Sequence, residues 1–158
     1  MAYEIAKAHL DRIGLGDRVQ VFDVSSATVE LAALAVGCEP AKIAKTLSFL
    51  VDGKAVLVVA AGDAKVDNRK YKDMFGTKAK MLSQEEVTGL VGHAVGGVCP
   101  FGAKEGVKVY LDESLKRFDY VYPACGSASS AVKLTVEELE MASGAVQWVD
   151  VCKGWQEE

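Results

Sequence analysis

Ile43 to Ala61 reads IAKTLSFLV, then DG, then KAVLVVAA, and this stretch decides the fold. Asp52-Gly53 between two apolar runs is the strongest short signal for a hairpin with a tight turn. The first run is a strand over Ile43 to Val51. The second, Ala55 to Ala61, is apolar on both faces and is therefore expected at the centre of its sheet. With a two-residue period, Ile43, Lys45, Leu47, Phe49 and Val51 point one way, and Ala44, Thr46, Ser48 and Leu50 the other. Lys45 thus shares an apolar face. An unpaired ammonium out of water costs several kcal/mol by order of magnitude, so lysine is almost never fully buried alone. Either Lys45 lays its stem along the core with its head in water, or it waits for an anion.

Outward from the hairpin, Tyr3, Ala6, Leu10 and Ile13 recur at helical spacing, which predicts a helix over residues 3 to 13 stopped by Gly14 and Gly16. A short strand over Val19 to Asp23 follows. Ser26 or Thr28 can cap a helix through Val36, and Pro40 opens one further helical turn. After the hairpin, Asp67 can cap a helix ended by Gly76. Ser83 with Glu86 and Thr135 with Glu138 form capping boxes for helices ended by Gly92 and Gly144. Val107 to Leu111, Asp119 to Tyr122 and Val146 to Val151 are β-branched or aromatic and read as strands, with one or two helical turns over Asp112 to Arg117. The expected fold is α/β of the α+β type: a mixed, mainly antiparallel central sheet or barrel surrounded by helices. No repeat or linker divides the chain, so residues 1 to 158 are expected to form a single domain.

A chain of 158 residues buries roughly two thirds of its unfolded surface without help from a cofactor or disulfide, and none is expected. The longest apolar run, Ala55 to Ala61, is too short for a bilayer, and Met1 to His9 lacks a signal-peptide core. No membrane association and a cytoplasmic location are therefore expected. Cys38, Cys99, Cys125 and Cys152 are scattered, as are His9 and His93. A zinc site would need four separate segments, so free thiols in a reducing compartment and no metal are expected. The net charge of -4 argues against gripping long nucleic acid with the whole surface. Locally, Lys65, Arg69, Lys70, Lys72, Lys78 and Lys80 face only Asp67 and Asp73 within the same run, either as a solvated helix face or as a phosphate-binding flank.

One segment has neither helical nor strand period. Residues 92 to 102, GHAVGGVCPFG, carry four glycines and a proline. Successive backbone N–H groups in such a turn can form an anion-binding concavity, and a plain structural loop has the same composition. Cys99 sits within it, but the spacing places no histidine beside that thiol, which leaves a nucleophile without its base.

Lys45-Thr46-Leu47, then Gly62-Asp63 followed by Val66-Asp67, then Gly96-Gly97-Val98-Cys99-Pro100, in that order, resemble the YbaK/EbsC family of aminoacyl-tRNA deacylases. These proteins are free-standing relatives of the editing domain of bacterial prolyl-tRNA synthetase. The resemblance runs from about residue 20 to 150. It implies hydrolysis of the ester that joins a wrong amino acid to the 3′ acceptor end of a tRNA, with tRNA for proline carrying cysteine or alanine as the expected substrate and prolyl-tRNA synthetase as a partner. It assigns Lys45 to a phosphate of the terminal nucleotides, and Gly96, Gly97, Val98, Cys99 and Pro100 to a loop whose amides position the carbonyl and stabilise the oxyanion. It implies no metal and no covalent nucleophile; the substrate's own ribose hydroxyl, or the thiol of a cysteinyl substrate, drives the reaction.

Thr46, Phe22, Phe49 and Phe101 are candidates to line the aminoacyl pocket, and Asp63 and Asp67 are expected to serve as turn and cap. One departure stands out: many relatives have a Gly-Lys-Arg-Gly-like turn where this chain has Gly126-Ser127-Ala128-Ser129-Ser130. Ser127, Ser129 and Ser130 can hydrogen-bond substrate or simply form the turn. The loss of two cations leaves a second reading, a non-catalytic module that binds aminoacyl-tRNA or the synthetase.

Overall fold

The computed structural model of the chain describes residues 2 to 93 and 98 to 155. Helix α1 (Ala2–Arg12) buries Ala6 and Leu10, as its spacing requires. A 3-10 turn leads into β1 (Val19–Val21). Helix α2 (Val29–Val36) is capped by Thr28, whose Oγ1 accepts from Leu31 N at 3.2 Å; of the two candidate caps, Thr28 takes the position. Then β2 (Ile43–Val51) and β3 (Lys54–Ala61) form the hairpin. Its turn has Asp52 at φ 52° and Gly53 at φ 77°, the pair of positive values that a tight turn between twisted strands demands.

β4 (Lys65–Val66) precedes α3 (Asn68–Phe75), whose cap Asp67 accepts from the N–H groups of Arg69 and Lys70 at 3.0 and 3.1 Å. α4 (Gln84–Glu86) starts on the Ser83–Glu86 capping box and widens into a π turn that ends at Gly92. The rest of the chain comprises β5 (Lys108–Asp112), a 3-10 turn over Glu113–Arg117, β6 (Tyr120–Pro123), β7 (Ser130–Val132), β8 (Leu134–Thr135), α5 (Val136–Ser143) on its Thr135–Glu138 box, β9 (Gln147–Val149) and β10 (Cys152–Lys153).

Six strands form one mixed sheet in the order β8-β6-β2-β3-β5-β9. β2 and β3 pair antiparallel, with Lys45 opposite Ala60. β6 runs parallel to β2, and β5 and β9 continue parallel beyond β3. β1 with β7, β4 with β10, and β6 with β8 are antiparallel. An Ala124–Ala131 bridge links the ends of β6 and β7.

Both faces of β3 are covered. Leu57, Val59 and Ala61 pack toward Leu10, Phe101, Leu111 and Leu139, while Val56, Val58 and Ala60 pack toward Phe49, Tyr71, Val149 and Val151. The strand expected at the centre is there for the reason its composition implies. The short strands β4, β7, β8 and β10 were not among the sequence-based expectations, because two or three residues carry no readable period. The buried Asp112 is another addition. Its carboxylate accepts from Ser114 N and Val151 N, each at 3.0 Å, and so ties the end of β5 to the segment after β9.

Candidate active site around Lys45

Lys45 projects from β2 and is half-buried. Its Nζ donates to the carbonyl of Ala64, just past β3. Burial is the main cause that pulls its pKa below that of an ordinary lysine. Asp63, an obvious partner by position, is engaged elsewhere: its two carboxylate oxygens take Arg117 guanidinium nitrogens at 2.6 and 3.0 Å. Lys45 therefore has no carboxylate within ion-pair distance among the described residues. An ammonium has three protons to donate, and the Ala64 carbonyl takes one.

Beside it lies a cavity of about 250 Å³. β2 contributes Lys45, Thr46 and Ser48 to its wall, and the start of α2 with its lead-in contributes Ser26 to Val29. Val98, Tyr122 and Ser130 close it from three other segments. Among the described lining residues, Lys45 is the sole charged side chain; the remainder are apolar or hydroxyl-bearing. Ser26 is buried, and both its Oγ and Thr46 Oγ1 are without a hydrogen-bond partner among the described residues. Such a cavity suits a small neutral group tethered to an anion.

The sequence candidates divide. Lys45, Thr46 and Val98 meet at the cavity. Gly96 and Gly97 lie outside the described residues. Pro100 is buried, and Cys99 and Phe101 are fully enclosed in the main core. Phe49 is not brought to the cavity either, because it packs at 4.9 Å between ring centroids against Tyr71 in the second core. Phe22 N donates to Ser129 O at 2.8 Å, and Ser127 Oγ lies 2.7 Å from Ser130 Oγ. Phe22, Ser127 and Ser129 do not line the cavity, although Ser127 touches Ser130, which does. Asp67 is a cap, and Asp63 is an ion-pair partner.

The expectation that no histidine stands beside Cys99 needs correction: His93 Nε2 is 3.7 Å from Cys99 Sγ. The two residues, six apart in the chain, approach each other in a way that spacing alone does not reveal. The pair is nevertheless inert in this arrangement. His93 Nε2 lies 3.0 Å from the Phe101 carbonyl, to which it must donate, so its lone pair is not free for the thiol. Burial pushes the Cys99 thiol far up and the His93 imidazole down, and both stay neutral near pH 7. Sequence reading also missed Ser26, Ser48 and Tyr122 at the cavity, whereas Ser130, a candidate from the altered turn, does line it. Tyr122 and Ser130 lie on strands beside β2 and β1, and the sheet order makes them neighbours of the site.

Among the described residues, no group of three or more His, Cys, Asp or Glu side chains is placed to hold a metal ion, and no helix is long and apolar enough to cross a membrane.

Comparison with known proteins gives a consistent picture. The family model for the aminoacyl-tRNA editing domain matches residues 23–142. The uncharacterized protein YwhH of Bacillus subtilis (strain 168) is 49% identical over 157 residues, covering 99% of this chain and 100% of that protein. A proline–tRNA ligase of Bacillus cytotoxicus is 30% identical over 123 residues; the match covers 77% of this chain but only 20% of the ligase. A crystal structure described as a candidate trans-editing enzyme for prolyl-tRNA synthetase superposes with a TM-score of 0.87 at 32% identity, covering 97% of this chain and 98% of the other.

Proposed function

The chain belongs to the aminoacyl-tRNA editing domain family, and from that premise we propose that it is a free-standing hydrolase cleaving the ester of mischarged aminoacyl-tRNA. Its substrate in this reading is tRNA for proline carrying cysteine or alanine, and the hydrolysis needs no metal. One observation carries the proposal: Lys45, without a carboxylate partner among the described residues, and Val98, from the glycine loop, line one small cavity whose other described lining residues are uncharged.

The mechanism follows from those groups. The tRNA body stays outside, and the aminoacyl ester enters the cavity. Lys45 donates its remaining N–H groups to a phosphate of the terminal nucleotides, a charge-assisted contact that fixes the ester. In this reading the ester carbonyl is set against the backbone N–H of Val98, at the cavity wall. Charge that develops on that oxygen is stabilised there, and each such donor is worth roughly 3 kcal/mol of barrier. The substrate's vicinal ribose hydroxyl orients or activates the attacking water. Cys99, neutral and enclosed, contributes its backbone and not its sulfur.

The test is deacylation of tRNA for proline charged separately with cysteine, alanine and proline, by the wild type and by Lys45→Ala, each with and without EDTA. The expected result is rapid loss of a wrong amino acid, sparing of proline, collapse in the variant and indifference to the chelator. Salt-sensitive tRNA binding without any turnover would replace the hydrolase with a binding module.

A further inference from the structure

A second feature lies beside the cavity. A shallow groove of about 470 Å³ is bounded by Gly37, Cys38, Glu39, Lys42, Tyr120 and Tyr122. Tyr122 belongs to both the groove and the cavity. Alternation along β6 explains this continuity: Tyr120, Tyr122 and Ala124 share one face, and the latter two reach the cavity.

Two lysines stand at the Tyr120 wall of the groove. Lys133 Nζ lies 4.1 Å and Lys42 Nζ 5.2 Å from the centroid of the Tyr120 ring, so two ammonium groups are held around one aromatic side chain. The rings of Tyr120 and Tyr122 meet edge to face at 5.9 Å and 88°. Neither lysine has a carboxylate within ion-pair distance among the described residues, whereas Lys7, Lys70, Lys116, Arg18 and Arg117 each hold one. Among the described residues that line the groove, Glu39 is the one acidic side chain and Lys42 the one basic one; Lys133 adds its charge from outside the lining, over the Tyr120 ring.

Aromatic rings interleaved with unpaired cations are what single-stranded nucleic acid requires of a protein: a π surface for a base and positive charge for the backbone. We propose that this groove seats the unpaired nucleotides immediately before the esterified adenosine, with Lys42 and Lys133 on phosphates and the tyrosine rings against a base. The assignment rests on the editing reading, which places the terminal ester in the adjoining cavity. A strand leaving that cavity across Tyr122 enters the groove directly.

The experiment compares full aminoacyl-tRNA with the same amino acid esterified to adenosine alone, for the wild type, Lys42→Ala/Lys133→Ala and Tyr120→Leu. Expected is a rise in KM for the tRNA of about tenfold or more in each variant, with the ratio of kcat/KM between the two substrates falling by the same factor. In the lysine pair, the slope of log KM against log salt also falls by about 1.4, the share of two single-strand phosphates. Equal losses on both substrates, or none on either, overturn the proposal. So does a salt slope carried wholly by Lys72, Lys78 and Lys80 when these are neutralised instead. If the wild type hydrolyses neither substrate, the editing reading fails on its own. The groove is then decided by anisotropy with a short labelled RNA ending in CCA, whose affinity must drop in the lysine pair for the proposal to stand.

Discussion

Lys45 is held in an unfavourable state in the free protein, and that has a measurable consequence. Burial depresses its pKa below the ordinary 10.5, so in the pH window between the folded value and 10.5 the folded chain has released a proton that the unfolded chain retains. The cost of the buried ammonium is therefore full at neutral pH and is relieved as pH rises through the folded pKa. Phosphate binding has the opposite sign, because it needs the proton. Affinity for uncharged tRNA should fall on the alkaline side with a midpoint below 10.5, and Lys45→Arg, whose guanidinium does not titrate there, should remove that limb; an unchanged limb would disconnect Lys45 from the tRNA. Loss of the charge in Lys45→Ala should cost about 10- to 100-fold in kcat/KM, the usual worth of a hydrogen bond to a charged group. Cys99 makes the contrasting case. Cys99→Ala keeps the backbone amide and deletes an enclosed sulfur, so it should lower stability by about 1 kcal/mol while kcat holds, as read by urea unfolding and single-turnover deacylation. A collapse of kcat in a folded Cys99→Ala variant would restore the thiol as nucleophile.

At the scale of elements, the site depends on how closely the turn after β3 approaches the turn before β2. Gly62 sits against the Pro40 carbonyl, and a Cβ there would come within 2.0 Å of that oxygen and 2.8 Å of Val29 Cγ1. Gly62→Ala must therefore push apart the segments that carry Lys45's acceptor and the start of α2. A loss of roughly 1 to 3 kcal/mol is expected, with a fall in Tm and a rise in KM; an unchanged Tm would show that the turn has slack. Much of this level was legible in the sequence. The Asp52-Gly53 hairpin, the two capping boxes and the Asp67 cap are local signals complete within a few residues, and each stands where its residues require. The cavity was legible only where it is local: Lys45 announces itself by breaking a strand's apolar face and Ser130 by its place in the altered turn, but Tyr122 reaches the site through strand order, and the approach of His93 to Cys99 has no signal in their spacing. The aromatic candidates divided for the same reason. Hydrophobicity says that Phe49 and Phe101 are buried but not on which side of the sheet, and both went into cores.

The whole molecule presents a polyanionic substrate with a protein of net charge -4, so binding must rely on local fields. Lys45 in the cavity, Lys42 and Lys133 near the groove, and the exposed run Lys65, Arg69, Lys72, Lys78 and Lys80 are among the cations available for it; Lys70 is held by Asp150 and the Cys152 carbonyl at 3.1 and 3.0 Å. Long-range repulsion by the remaining acidic surface is screened by salt, and so are the local attractions, but the two do not cancel: each phosphate contact releases a counterion, which diffuse repulsion does not do. For about three phosphate contacts, log(kcat/KM) on aminoacyl-tRNA should fall against log salt with a slope near 2, at about 0.7 for each single-strand phosphate, while kcat stays level. Measured between about 50 and 200 mM salt, that slope separates recognition of the tRNA from recognition of the ester. A slope near zero with undiminished turnover would mean that the cavity reads the aminoacyl ester alone; the chain would then act as a small-ester hydrolase, and its surface lysines would serve solubility rather than binding.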